Sequence, residues 1–148
     1  MDARIKEAVD LFTEVMIYGT ERVIKAVDDP LWKEYSPEQM QMLKLISKER
    51  RVTSSRLAIL QAVHKSAISS RVKKLLQNEL ICIVQTEDRR EKLLELTAAG
   101  REVLAQSDKA LTSYIESLML KEVDDEEIEQ FLKIFRKLKD IIKMDGVS

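Results

Sequence analysis

A mainly helical chain carrying one small β-hairpin is the fold the sequence predicts, and three observations predict it. Only three Gly and two Pro occur in 148 residues, so little interrupts a helix. Apolar residues recur at helical spacing along most of the chain. That period breaks once, at the β-prone run Leu80, Ile81, Cys82, Ile83, Val84, which a charged turn and an alternating strand follow. The expected order is α-α-α-α-β-β-α-α in a single domain, because a chain of this length supports one good core.

The first helix is expected over residues 3–27, with Ile5, Ala8, Phe12, Val15, Met16, Val23 and Val27 in one stripe that Leu11 and Ile17 widen. This is more apolar surface than one helix needs for its own domain, so part of it should face a partner. Asp28, Asp29 and Pro30 end it, and Trp32 and Tyr35 fall in a connecting loop. Ser36 caps the next helix, with Pro37 at its first position and Gln39 three residues after the cap. In that helix Met40, Leu43, Leu45 and Ile46 read as core. A short helix over 53–61, a tight turn and a longer helix over 64–78 come next. A strand over 80–85, a loop over 86–91 and a return strand over 92–96 complete a helix-turn-helix followed by a wing. Thr97 caps a long helix running to about residue 120, in which Gly100 permits close packing. Asp124, Asp125, Glu126 and Glu127 place acid at the start of the last helix, where it complements the dipole. That helix carries Ile128, Phe131, Leu132, Phe135, Leu138, Ile141 and Ile142 at helical spacing, and with the first it makes a dimer seam.

The helix over 64–78 carries the functional argument. At 100° per residue Ile68, Val72, Leu75 and Leu76 fall on one side. Ser66, Ser70, Lys73 and Gln77 fall opposite, flanked by Lys65, Ser69 and Lys74. Short hydroxyl side chains allow close approach and lysines neutralise phosphates, which suits a helix lying in a major groove. A solvated helix face shows the same periodicity, but local charge separates the two. Residues 50–92 hold ten Lys/Arg against four Asp/Glu, or +6, while the rest of the chain holds 15 against 22. The overall charge of −1 conceals a basic footprint.

The loop over 86–91 is too polar to be buried, and its adjacent Arg89 and Arg90 suit the negative potential of a narrow minor groove. Asp88, two residues before Arg90, is placed to hold that guanidinium by a charge-assisted hydrogen bond. A neutralised surface turn would have the same composition.

One Cys and one His exclude a disulfide framework and leave too few such ligands for structural zinc. No metal and no cofactor are expected. Cys82 reads as a buried, inert strand residue. No paired carboxylates with a cleft signature and no Gly-rich phosphate loop occur, so no catalytic constellation is expected. There is no signal-peptide pattern and no apolar run long enough to span a bilayer. The expected location is the cytoplasm, on the nucleoid when DNA is bound.

Asp88, Arg89 and Arg90, then Leu96 and Thr97, then Gly100, downstream of a helix-turn-helix, resemble the D-x-R…L-T-x-x-G signature of the MarR family of winged-helix transcriptional regulators. Ser36 to Gln39, Leu57 with Ala58, Ser66 and Ser69 match as well, and the likeness spans nearly the whole chain. It implies that the second motif helix enters the major groove and that Arg90 reaches the minor groove. It also implies that the terminal helices form an obligate homodimer, with residues 1–35 and 98–148 dimerising and 36–97 binding DNA. Four residues depart from the family pattern: Ala62 in the turn and Glu79 at the helix end replace Gly, Gln61 replaces an apolar residue and Arg71 a leucine. Asn78 is the expected left-handed residue at that helix end, because Glu79 would be strained there.

The resulting expectation is a double-stranded DNA-binding transcriptional regulator, a repressor bound to a palindromic operator as a homodimer. Ser66, Ser69, Ser70 and Lys73 would read bases. Arg50, Arg51, Arg56, Lys65 and Lys74 would position the protein through phosphate contacts, Thr53 would also contact DNA, and Arg89 and Arg90 would serve the wing. A small aromatic or amphipathic ligand could release it from a pocket containing Met16, Trp32, Tyr35 and Tyr114, residues that core packing explains equally well. A winged-helix protein-interaction module without specific DNA binding is the alternative.

Overall fold

The computed structural model describes the backbone of residues 1–27, 30–88 and 90–146, with the side chains of all of these except residues 24 and 144–146. The expected end of the first helix at Asp28 and Asp29 lies outside the described residues.

Seven helices and one hairpin are present among the described residues. α1 (Ala3–Ala26) starts at Asp2, whose carboxylate accepts the Arg4 N–H at 2.9 Å. α2 (Pro30–Glu34) forms where a connecting loop was expected, so Trp32 is helical and Tyr35 follows directly. Five helices therefore precede the hairpin, rather than four. Five residues are too few for a hydrophobic period to register.

α3 (Pro37–Glu49) opens with a complete capping box. Ser36 Oγ accepts the Gln39 N–H at 3.2 Å, and Gln39 Oε1 accepts the Ser36 N–H at 2.9 Å. A cap of this kind contributes about 1 kcal/mol. α4 (Ser54–Gln61) and α5 (Lys65–Gln77) are the helix-turn-helix. β1 (Ile81–Gln85) and β2 (Lys92–Leu96) pair antiparallel with Ile81 opposite Leu96 and Gln85 opposite Lys92. Val52 adds a single bridge to Leu94, through bonds of 3.1 and 2.8 Å, and so ties the entry to α4 onto the wing.

α6 (Ala98–Met119) is capped by Thr97, whose Oγ1 accepts the Gly100 N–H at 3.0 Å. α7 (Asp125–Gly146) begins with a reciprocal cap. Asp124 Oδ1 accepts the Glu127 N–H at 2.8 Å and Glu127 Oε1 accepts the Asp124 N–H at 3.1 Å.

The core is concentrated in the middle of the chain. Met42, Leu43, Ile46, Leu57, Ile68, Leu75 and Ile81 are essentially solvent-free, with Val52, Val72, Leu80, Leu94 and Leu96 around them. Cys82, expected to be buried, is exposed. In a strand alternate residues face opposite ways, and Ile81 occupies the inward position beside it.

Both helices of the helix-turn-helix close through left-handed residues that are not glycine, α4 through Ala62 (φ 54°) and α5 through Glu79 (φ 58°). The expectation of Asn78 fails, since its φ is −88°. The cause is a paired closure: Glu79 N–H bonds Leu76 O and Leu80 N–H bonds Leu75 O, both at 3.0 Å. That geometry fixes the left-handed residue just before the chain turns Leu80 into the core. The Asn78 side chain instead donates to Lys74 O at 2.8 Å.

The strain at Glu79 is testable. Glu79→Gly should raise the melting temperature by relieving about 1 kcal/mol of left-handed strain, whereas Asn78→Gly should lower it; the reverse order in calorimetry would place the left-handed residue at Asn78.

Candidate nucleic-acid interface

α5 packs through Ile68, Val72 and Leu75, all buried, and this leaves Lys65, Ser66, Ser69, Ser70 and Lys73 exposed along its outer side. Five polar residues are thus held in a row by apolar anchors beneath them. The Ser69 hydroxyl donates to Lys65 O at 3.0 Å, so its oxygen is left to accept. His64 precedes the helix and makes no side-chain cap, leaving the first amides of α5 uncapped by a side chain.

Thr53 and Arg56 sit at the start of α4. Thr53 Oγ1 accepts the Arg56 N–H at 3.1 Å, so this threonine caps the helix, and Arg56 is half-buried. Lys74 is turned away from the serine face. Its Nζ donates to Glu34 O at 2.8 Å and lies 5.6 Å from the centre of the Tyr35 ring. These bonds fasten α5 to the end of α2.

Arg50 is exposed, with φ 66° and ψ −55°. Arg51 N–H reaches back over it to Glu49 O at 2.8 Å. This is the bonding of a γ-turn, a strained arrangement for a residue with a side chain. Arg51 Nε lies 3.6 Å from Glu95 Oε2, a contact between the end of α3 and the wing.

In the wing loop Thr86 Oγ1 donates to Asp88 O at 2.9 Å, and Asp88 O also accepts the Glu91 N–H at 3.1 Å. Asp88 was expected to hold the Arg90 guanidinium. Its Oδ1 instead accepts the Arg90 backbone N–H at 3.1 Å, an Asx turn that shapes the loop and leaves the Arg90 side chain exposed. Arg89 lies outside the described residues.

The four expected pocket residues are not brought into one of the described cavities. Tyr35 is 4% exposed and belongs to the core. Its phenol is pushed above its ordinary pKa by burial first and then by the neighbouring Glu34. Trp32 and Tyr114 are half-buried and Met16 is 55% exposed. The Trp32 indole N–H is buried without an acceptor among the described residues. The largest described cavity is a cleft of about 700 Å³ lined by Leu45, Lys48, Glu49, Leu60, Lys139, Ile142 and Lys143. No sequence signal marked it, because it lies between elements nearly 100 residues apart in the chain. Among the described residues no His, Cys, Asp and Glu cluster could hold a metal ion, and no helix is long and apolar enough to cross a membrane.

Comparison with known proteins agrees with this geometry. The chain is 34% identical over 146 residues to the HTH-type transcriptional regulator YdgG of Bacillus subtilis, covering 96% of this chain and 95% of that one. Its fold is similar to that of a MarR family protein from Bacillus stearothermophilus, with a TM-score of 0.73 at 19% identity over 97% and 99% of the two chains. It is also similar to Staphylococcus aureus MarR in complex with salicylate and kanamycin, with a TM-score of 0.71 at 19% identity over 95% of each chain. No family model matches the chain. A helix-turn-helix whose second helix exposes serines and lysines and is followed by an arginine-bearing wing, together with a regulator relative aligned along nearly its whole length, places this chain in the MarR family of winged helix-turn-helix transcriptional regulators, DNA-binding proteins and not enzymes.

Proposed function

We propose that this regulator is a repressor that grips a short palindromic operator as a homodimer and is released by a small aromatic or amphipathic ligand. The observation that carries the DNA-reading part is the exposed row of Lys65, Ser66, Ser69, Ser70 and Lys73 above the buried Ile68, Val72 and Leu75. The hydroxyls and Lys73 read base edges, Lys65, Arg50 and Arg56 contact phosphates, and Arg90 enters the minor groove. Lys74 serves the lobe rather than the DNA, because its ammonium is already engaged by Glu34 O. Arg89 would lie beside Arg90 in the wing.

The dimer reading rests on the terminal helices, residues 1–35 and 98–148, flanking a DNA-binding lobe of 36–97. α1 exposes Ile5, Val9, Phe12, Val15 and Met16, and α7 exposes Phe131, Ile134, Leu138, Ile141 and Ile142. Phe131 stacks on Phe135 at 4.0 Å, and Phe12 lies 6.3 Å from Phe135. The two apolar faces are therefore continuous, and an exposed patch of this kind marks an association surface. A second copy of the chain fits it, because a two-fold axis lets α1 and α7 of one protomer cover their counterparts and pairs the two α5 helices on one side of the duplex. The ligand reading takes its support from the salicylate held by the Staphylococcus aureus relative. Trp32, whose indole N–H has no acceptor among the described residues, remains the candidate contact among Met16, Trp32, Tyr35 and Tyr114.

Three outcomes test this reading. Phe135→Asp should raise the dimer dissociation constant at least about tenfold in sedimentation equilibrium, as expected of a buried aromatic anchor; an unchanged constant removes α7 from the seam. Arg90→Ala should weaken binding to the best selected site by about 1–3 kcal/mol with little change in melting temperature; equal affinity would remove the wing from recognition. Half-sites about 10 base pairs apart face the same side of B-DNA. Inserting about half a turn at the centre of the preferred site should therefore reduce affinity to near that for random duplex, and tight binding to the lengthened site would rule out the two-fold geometry.

A further inference from the structure

Two of the departures from the family pattern meet in space. Arg71 Nη1 donates to Gln61 Oε1 at 3.0 Å, and Gln61 Nε2 donates onward to Glu38 O and to Gln41 Oε1, both at 3.1 Å. The chain of bonds runs from the middle of α5, through the last residue of α4, to the first turn of α3. Gln61 and Arg71 are both half-buried. Arg71 is one of the ten basic residues of the 50–92 stretch, yet its guanidinium is directed into the lobe.

We propose that Gln61 and Arg71 are a matched positioning pair that sets the angle of α5 for base reading. An apolar contact at this place would tolerate sliding of one helix on another, since hydrophobic attraction is non-directional. A guanidinium bonded to an amide that is itself held by two acceptors fixes distance and direction together. Hydroxyl contacts from Ser66, Ser69 and Ser70 have short reach, so a small rotation of α5 separates them from the base edges. The longer Lys65 and Arg50 side chains would still follow the phosphates. The pair should therefore govern the preference for the operator over random duplex and leave phosphate binding unchanged. This inference rests on the reading of α5 as the base-contacting helix.

The test compares the full-length protein with Gln61→Leu, Arg71→Leu, the double substitution and Arg71→Lys. Thermal unfolding is measured for each, together with affinity for the selected operator and for random duplex across a salt series. Each leucine variant should melt lower, because it strands a half-buried polar partner, while the double variant should regain much of that loss, since replacing both partners by apolar groups is close to neutral. The operator preference should fall about tenfold in both single variants, the scale of one charged hydrogen bond, and should stay low in the double. Arg71→Lys, which keeps a donor, should hold the preference within about threefold. Recovery of the full preference by the double variant, or Arg71→Lys losing as much as Arg71→Leu, would overturn the positioning role. So would an Arg71→Leu variant whose random-duplex affinity and salt slope fall together, the mark of a direct phosphate contact. The unfolding cycle reads the network without DNA. Strong coupling there in a protein with no operator preference of its own would defeat the reading of α5 along with this inference, whereas absent coupling beside a normal wild-type preference would defeat the inference alone.

Discussion

The carbonyl of Leu80 is the point on which the arrangement of reading parts depends. Thr97 N–H bonds it at 3.0 Å, and Thr97 Oγ1 donates to the preceding carbonyl, Glu79 O, at 2.6 Å. Gly100 lies so close that a Cβ there would overlap Leu80 O. Three residues separate the end of α5 from β1, and one separates β2 from α6. This contact therefore welds α5, both wing strands and α6 into one body. It also supplies a physical reason for a Thr and a Gly three residues apart after the wing. The threonine caps α6 while holding the α5 exit, and the glycine admits the backbone of that exit.

Rigidity at this junction matters for the proposed two-fold dimer, which would present two copies of α5 to DNA. In the proposed dimer through α1 and α7, the distance between the two α5 helices is fixed only if α6 conveys that geometry to α5 without play. The bonded contact at Leu80 and the side-chain bond from Arg101 Nη1 to Leu96 O at 3.2 Å supply that connection. The core is organised to the same end, for its solvent-free residues come from α3, α4, α5 and β1. Most of the apolar residues of α1 and α7 are left at the surface instead, the kind of exposed patch that marks an association surface.

Charge follows the same division. Residues 50–92 carry ten Lys/Arg against four Asp/Glu while the rest of the chain carries an acidic excess, so the local potential around the serine face is positive although the net charge stays near zero. The wing is shaped by its backbone rather than by ion pairing, since Asp88 closes an Asx turn on the Arg90 N–H and leaves the arginine side chain available.

Local chemistry was legible in the sequence: the helical periods, the caps at Ser36 and Thr97, the return strand Lys92–Leu96 and the exposed row on α5. Each depends on residues within a few positions of one another, where spacing alone specifies geometry. The sequence also indicated that Gly100 faces a close neighbour, but not which one. Tertiary structure decided the rest. α2 owes its helix to too short a run for a period. Cys82 is exposed because its neighbour Ile81 takes the inward place. The left-handed turn falls on Glu79 because Leu80 must enter the core, and Lys74 turns to Glu34 because α2 docks beside it. Gln61 and Arg71, which read separately as two misplaced polar residues, prove to be partners. These outcomes depend on which side chains meet across elements, and that is set by the packing of the whole lobe rather than by any local run of residues.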